Sequence, residues 1–197
     1  MTNRRKIIND PVYGFISIPN DLIYDLMGHQ WFQRLRNIRQ LGLSSLVYPG
    51  AVHSRFQHSL GAMYLTGQAV HTLRSKGTEI SAEEEEGVLA AILLHDIGHG
   101  PFSHALEHSL IEDMPHETMS LLIMEELNRS MGGRLTSAIA IFRGEYQRRF
   151  FHDLVTGQMD MDRMDYLRRD SFFTGVIEGS VGSDRIIRML NVYDDRL

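Results

Sequence analysis

The stretch from Val88 to His104 constrains this chain more than any other. Val88–Leu94 is apolar on every side, so a helix there must lie in the middle of a domain rather than on its surface. Its start is well marked. Ser81-x-x-Glu84 reads as a capping box, and Glu83, Glu84, Glu85 and Glu86 put negative charge in the first turn, where the helix dipole favours it. Gly98, Gly100 and Pro101 stop the helix. His95 and Asp96 therefore fall on its last turn, with His99 and His104 four and nine residues after His95. A buried carboxylate is costly alone, and a divalent cation is one of the few partners that removes the cost, the more so beside helix carbonyls. A neutral histidine bonded to a carboxylate is the simpler account of a lone His-Asp pair. With three further histidines in reach, the metal reading is favoured.

Composition narrows the chemistry. There is no cysteine, so no disulfide frame and no thiolate ligand is available, and a metal must be held by histidine and carboxylate. Such donors suit Fe, Mn, Zn, Ni or Mg. At 197 residues the chain suits a single domain, 1–197, with a full core and no staples. A net charge of -5 gives no general nucleic-acid surface, so no nucleic-acid partner is expected. The basic start Met1-Thr2-Asn3-Arg4-Arg5-Lys6 is not followed by a signal-like apolar segment, and no run reaches membrane-spanning length. A cytoplasmic location and no membrane partner are expected.

Elsewhere the pattern is helical. Residues 6–18 form the exception, two short β-prone pieces around Asp10-Pro11 and Tyr13-Gly14 that predict a small hairpin. Pro19 and Asn20 open a helical region, in which Trp31, Leu35, Ile38 and Leu41 make an apolar stripe ended by Gly42. Arg34, Arg36 and Arg39 lie off that stripe, most simply as a solvated face, with anion binding as the alternative. Ser54-x-x-Gln57 is a second capping box, opening a helix to about Ser75 with Leu60, Met63, Tyr64, Gly67 and Val70 on its packed face. Gly67 is placed to let another helix approach. Arg55 and His58 share the first turn, where an arginine can hold phosphate at the helix N-terminus while the histidine coordinates metal. After Pro101, His104, Glu107 and His108 share a helical face, the usual geometry for an acid and its orienting partner. His116 begins a helix to about Met131 with Leu122, Ile123 and Leu127 inside, stopped by Gly132-Gly133. Helical pieces from Ser137 to Val155 break at Gly144. In 158–170, Asp162, Asp165, Tyr166 and Arg169 share one face of a helix that either looks into a cavity or is a salt-bridged surface. Gly175, Gly179 and Gly182 make a flexible loop, and Ser183 caps a short helix through about Met189.

The pattern His58, His95-Asp96 and Asp162 resembles the HD-domain metal phosphohydrolases. The surroundings are similar to their deoxynucleoside triphosphate (dNTP) triphosphohydrolase, dGTPase-like branch. The likeness rests on Gln33-Arg34-Leu35-Arg36, Gln40-Leu41-Gly42, Tyr48-Pro49-Gly50-Ala51, Arg55-Phe56-x-His58-Ser59-Leu60-Gly61, His95 to His104, and Asp160-x-Asp162-x-x-Asp165-Tyr166. It implies an all-α HD-domain helical bundle with the small N-terminal hairpin. It also implies one divalent metal on His58, His95, Asp96 and Asp162, with a second ion, Mg, accompanying the substrate. By the same resemblance Arg55 holds phosphate near the scissile bond, His104, His116 and Glu107 are catalytic, and His99 lies in the phosphate pocket. Arg163 matches a triphosphate contact, Tyr166 and Asp170 match sugar contacts, Asp160 lies beside substrate, and Gln40 and Leu41 lie near deoxyribose and base. A homo-oligomer is implied. Two departures stand out. Asn9, Gln33 and Arg36 match a regulatory guanine-nucleotide site whose aspartate position is Gly28 here, and the family's later pocket residues fall beyond Leu197, so the chain is expected to lack the C-terminal part of longer relatives.

The leading expectation is hydrolysis of a dNTP to deoxynucleoside and inorganic triphosphate. Two others stay open: HD-type hydrolysis of a monophosphate, cyclic or signalling nucleotide, and a non-catalytic nucleotide-binding assembly module.

Overall fold

The two β-prone pieces of residues 6–18 pair as strands, and most of the segments that are apolar in threes and fours coil. The computed structural model describes residues 6–102, 115–179 and 181–197. Strands β1 (Ile7–Asp10) and β2 (Gly14–Ser17) form an antiparallel hairpin in which Ile7 faces Ser17 and Asp10 faces Gly14. The Asp10 carboxylate closes the turn by accepting from the backbone N–H groups of Val12 (2.9 Å) and Tyr13 (3.1 Å). All other named elements among the described residues are helical: α1 (Asp21–Gly28), α2 (Gln30–Gln33), α3 (Arg55–Ser75), α4 (Ala82–Leu94), α5 (His116–Ser130), α6 (Thr136–Arg143), α7 (Phe150–Val155), α8 (Met161–Thr174) and α9 (Ser183–Met189), with short 3-10 turns between.

Helix α4 is the axis of the bundle, because its whole second half, Val88 to Leu94, is buried. It packs between α3 and α6, and α3 in turn packs against α8. Both capping boxes form as expected, at Ser54–Gln57 and Ser81–Glu84. Glycines set the closest approaches. A Cβ at Gly87 would meet the Ser137 side chain of α6 at 3.2 Å, whereas one at Gly67 would touch only Leu89 at 3.9 Å. The tight contact on α3 is instead at Gly61, where a Cβ would overlap the side chains of Asp165 and Arg169 on α8. No described helix is long and apolar enough to cross a membrane.

Several local expectations are corrected. The stripe from Trp31 to Leu41 is not one helix. After α2 a 3-10 turn covers Arg34–Asn37, and the chain then runs beside 53–55, with the Ile38 carbonyl accepting from Arg55 N–H at 2.9 Å and Gln40 N–H donating to His53 at 3.0 Å. Leu35 and Ile38 are still buried, so the apolar positions were informative although their period was not helical throughout. Trp31 is 40% exposed. On α5, Leu122 faces outward and Met124 takes the inner place beside Ile123 and Leu127. Ser183 is the first residue of α9 rather than its cap, its hydroxyl accepting from Arg168 at 3.3 Å.

Candidate metal and phosphate site

Four side chains from three helices meet at the end of α4. The Ser54 capping box fixes the first turn of α3, which carries Arg55 and His58 inward, 3% and 0% exposed. His95 is the C-cap of α4, one residue past the helix proper, and Asp96 follows it. Asp162 comes from the first turn of α8, whose N-cap is Asp160. From His58 Nε2 the distances are 3.0 Å to Asp162 Oδ1 and 3.6 Å to Asp96 Oδ2; from His95 Nε2 they are 3.4 Å to Asp162 Oδ1 and 3.5 Å to Asp96 Oδ1.

The outer faces of both imidazoles decide what the inner faces offer. His95 Nδ1 lies 2.6 Å from the Ile92 carbonyl, which can only accept, so Nδ1 carries the proton. His58 Nδ1 lies 2.7 Å from the Asp165 carboxylate and donates in the same way. Both Nε2 atoms are then free to present a lone pair to the common space, the arrangement of metal-ligating histidines. Neither Nε2, although buried, makes a hydrogen bond of good geometry. Electrostatics agree that the space wants positive charge. Burial opposes a cation at His58, yet the neighbouring carboxylates of Asp162 and Asp165 outweigh burial and push the imidazole up to about 10. His95 is raised for the same reason, burial being overcome by Asp96 and Asp162. Asp96 is held well below the ordinary carboxylate range, with burial outweighed by His95 and Arg55. A divalent ion fits the donor set: two imidazoles and two carboxylates, no sulfur.

Beside this cluster sit the cationic and aromatic groups. Arg55 Nη1 donates to Asp96 Oδ2. His99 Nδ1 is 3.3 Å from Asp96 Oδ1, and its ring lies 3.9 Å from that of His116, centre to centre. Asp96, His99 and His116 are a second trio with ligand atoms within 4.8 Å of one another. Burial lowers the His99 imidazole despite Asp96. A cavity of about 260 Å³ opens here, lined in part by His95, Asp96, His116, Glu117, Asp160 and Asp162. A larger groove, about 990 Å³, runs between α7 and α9 and includes none of the four metal-site residues.

The remaining expected residues divide. Asp160 is buried beside Asp162, but both its oxygens accept backbone N–H groups, from Arg163 at 2.7 Å and Gly157 at 2.9 Å, so it caps α8. Arg163 is exposed, reaching the Gln158 carbonyl at 3.3 Å. Tyr166 is half-buried on α8. Asp170 accepts from His53 Nε2 at 2.7 Å, and the His53 ring stacks on Phe173 at 4.7 Å. Gln40 and Leu41 are half-buried in the segment that runs beside His53. His104 and Glu107 lie outside the described residues.

Other residues take places that differ from their reading in sequence or had none there. Arg34 is not a solvated surface charge, for its two Nη atoms donate to the carbonyls of Ile97 and His99 and pin the His95–His99 corner. Asp165 and Arg169 do not look into a cavity but are wholly buried against α3. Spacing from His58 gave no signal for His53 or Asp10, since each meets its partner across more than a hundred residues. The helical register of Asp162, Asp165 and Arg169 was the only available clue.

A family model for the HD domain matches residues 55–170. The chain belongs to the HD-domain family. It is 62% identical, with a TM-score of 0.95, to a crystal structure of a phosphohydrolase from Bacteroides thetaiotaomicron, covering 98% of this chain and 48% of that one. It is 36% identical to the uncharacterized protein YwfO of Bacillus subtilis, over 99% of this chain and 46% of that protein. It is 34% identical to the deoxynucleoside triphosphate triphosphohydrolase SAMHD1 homolog of Dictyostelium discoideum, over 98% of this chain and 41% of that protein. The chain therefore spans less than half the length of these relatives.

Proposed function

We propose that this HD-domain chain is the catalytic core of a metal-dependent phosphohydrolase acting on dNTPs and releasing deoxynucleoside and intact inorganic triphosphate. The observation that carries this reading is the convergence of His58, His95, Asp96 and Asp162 on one space with Arg55 beside it. A divalent ion held by those four groups would polarise a phosphoryl oxygen and favour ionisation of water at neutral pH. The remaining work falls to the chain. Arg55, anchored on Asp96, holds a nonbridging oxygen and offsets charge that grows there. Arg163, exposed on the first turn of α8, neutralises the distal phosphates. His99 and His116, whose rings lie close together beside Asp96, bind phosphate oxygens or, with Asp96, hold a second ion such as Mg that travels with the substrate. By the family resemblance, His104 would give a proton to the leaving 5′ oxygen, with Glu107 as its expected partner. Tyr166 and Asp170, the latter held by His53, contact the sugar, with Gln40 and Leu41 near the deoxyribose and base and Asp160 supporting the wall of the site. Self-association into a homo-oligomer and a cytoplasmic setting belong to the same reading.

Incubation with Mn²⁺ or Mg²⁺ and each dNTP, with triphosphate resolved from pyrophosphate and phosphate, is the test. Triphosphate release is expected. Pyrophosphate or single phosphate would reject the branch and favour hydrolysis of another nucleotide class. Nucleotide binding without any turnover would instead favour the assembly module, a reading helped by the pairing of Arg36 with Gln33 at 2.8 Å on the exposed side of the 3-10 turn.

A further inference from the structure

We propose that Asp10, a residue of the N-terminal hairpin, is a positioning residue for the metal ligand His58, acting through Arg169 and Asp165. The inference rests on the metal reading of His58 and concerns what holds that ligand in place. His58 Nδ1 donates to Asp165 Oδ2 at 2.7 Å, the contact that fixes the ring and turns Nε2 toward the ion site. Asp165 is gripped by Arg169 through two parallel bonds, Nε to Oδ2 at 2.9 Å and Nη2 to Oδ1 at 3.0 Å. The other side of the same guanidinium reaches Asp10, Nη1 to Oδ2 at 2.8 Å and Nη2 to Oδ1 at 3.4 Å. Asp165 and Arg169 are 0% exposed and Asp10 4%. Few alternative rotamers exist, because the missing Cβ of Gly61 is what leaves room for both the Asp165 and the Arg169 side chains.

The chain of contacts is therefore continuous from the hairpin turn to a metal ligand, with every link buried and bidentate or short. Asp10 is the link between two structures. One of its oxygens closes the hairpin turn on Val12 and Tyr13, and the carboxylate as a whole seats Arg169. The Tyr13 ring lies over Arg169 as well, 5.5 Å from centroid to guanidinium carbon. Asp165 takes the Nε donor and one Nη2 donor of Arg169, and the carboxylate of Asp10 takes donors of this wholly buried guanidinium that Asp165 does not reach. The second carboxylate makes the hairpin part of the frame. A dicarboxylate grip also prevents the guanidinium from rotating, so Asp165 keeps the angle at which it receives the His58 proton, and outer partners of this kind tune both ligand orientation and basicity.

The test is divalent-ion affinity rather than turnover. Mn²⁺ binding to the full chain is measured by titration calorimetry, and the visible absorption of the Co²⁺-loaded protein reports ligand geometry. Folding is checked by circular dichroism. Asp165→Asn is expected to weaken Mn²⁺ binding by about 10- to 100-fold, as for removal of a partner to a metal-bound histidine. Asp10→Asn is expected to weaken it by on the order of 3- to 10-fold and to alter the Co²⁺ spectrum. In an Arg169→Lys background, which already breaks the double grip, Asp10→Asn should add nothing further. A folded Asp10→Asn variant with wild-type affinity and spectrum would overturn the proposal, as would a full additional loss in the Arg169→Lys background. Should Asp10→Asn fail to fold, Arg169→Lys decides alone, and unchanged affinity there is the contrary result. Wild-type protein that binds no divalent ion would instead sink the metal reading itself, and this inference with it.

Discussion

Gly61 is the residue on which the second layer of the site depends. An alanine Cβ there would overlap the Asp165 carboxylate and the Arg169 guanidinium, and neither can yield because each is fixed by buried charge. Gly61→Ala is expected to cost about 3 kcal/mol or more, the upper range for overpacking combined with disturbance of a buried ion pair, measured as a lowered urea midpoint. A change below about 1 kcal/mol would mean that the pair is free to move. Arg34 makes a milder case. Its donors hold the carbonyls of Ile97 and His99 from a half-buried position, so Arg34→Ala is expected to cost about 1–2 kcal/mol. The four candidate metal residues could be named from sequence by the family resemblance, and of these His95 and Asp96 are also marked by the cost of burying such groups unpaired. Arg34 and Asp10 could not, since an arginine in a basic run and an aspartate before proline each have an ordinary local explanation, and only long-range contacts show otherwise.

Among elements, α4 carries the fold and has its instructions written locally. Ser81 Oγ accepts from Glu84 N–H at 3.1 Å and the Glu84 carboxylate accepts from Ser81 N–H at 2.8 Å, so Ser81→Ala should cost about 1 kcal/mol. Glu84 also receives Arg148 at 3.1 Å. Partial burial works against its charge, but the bonds from Ser81 and Arg148 win and lower the carboxyl below the ordinary glutamate range. The unfolded chain then binds this proton more readily than the folded one. The stability Glu84 contributes is present above the ordinary glutamate value and is lost as pH falls through the lowered one. Glu84→Gln should accordingly show a shallower acid limb in unfolding free energy against pH, with the two proteins converging at low pH; parallel curves would contradict this. Capping boxes and glycine stops made α3, α4, α5 and α6 readable. The region after α2 was not readable, because a 3-10 turn followed by extended chain buries Leu35 and Ile38 at nearly the spacing a helix would use.

At the scale of the whole molecule, α3, α4, α6 and α8 share one apolar core, and the candidate site lies where their ends meet. Unfolding should therefore be a single event, with Trp31 fluorescence and far-ultraviolet circular dichroism giving one midpoint. Separate midpoints would show that the α1–α2 region is not part of that core. Helices and one terminal hairpin were legible from apolar patterning, caps and turn residues, whereas the HD-domain bundle and the grouping of residues 58, 95, 96 and 162 were expected from the family resemblance. How those ligands are held was not legible, since Asp165, Arg169 and Asp10 come together only once α8 and the hairpin have closed on α3. The central claim is that these four side chains grip one cation, and elemental analysis of protein purified without chelator tests it most directly. One equivalent of a divalent metal in the wild type and a near-complete loss in a folded Asp162→Ala variant is the expected result. No bound metal in the wild type even after exposure to Mn²⁺, Fe²⁺ or Zn²⁺, or an undiminished equivalent in Asp162→Ala, would contradict it.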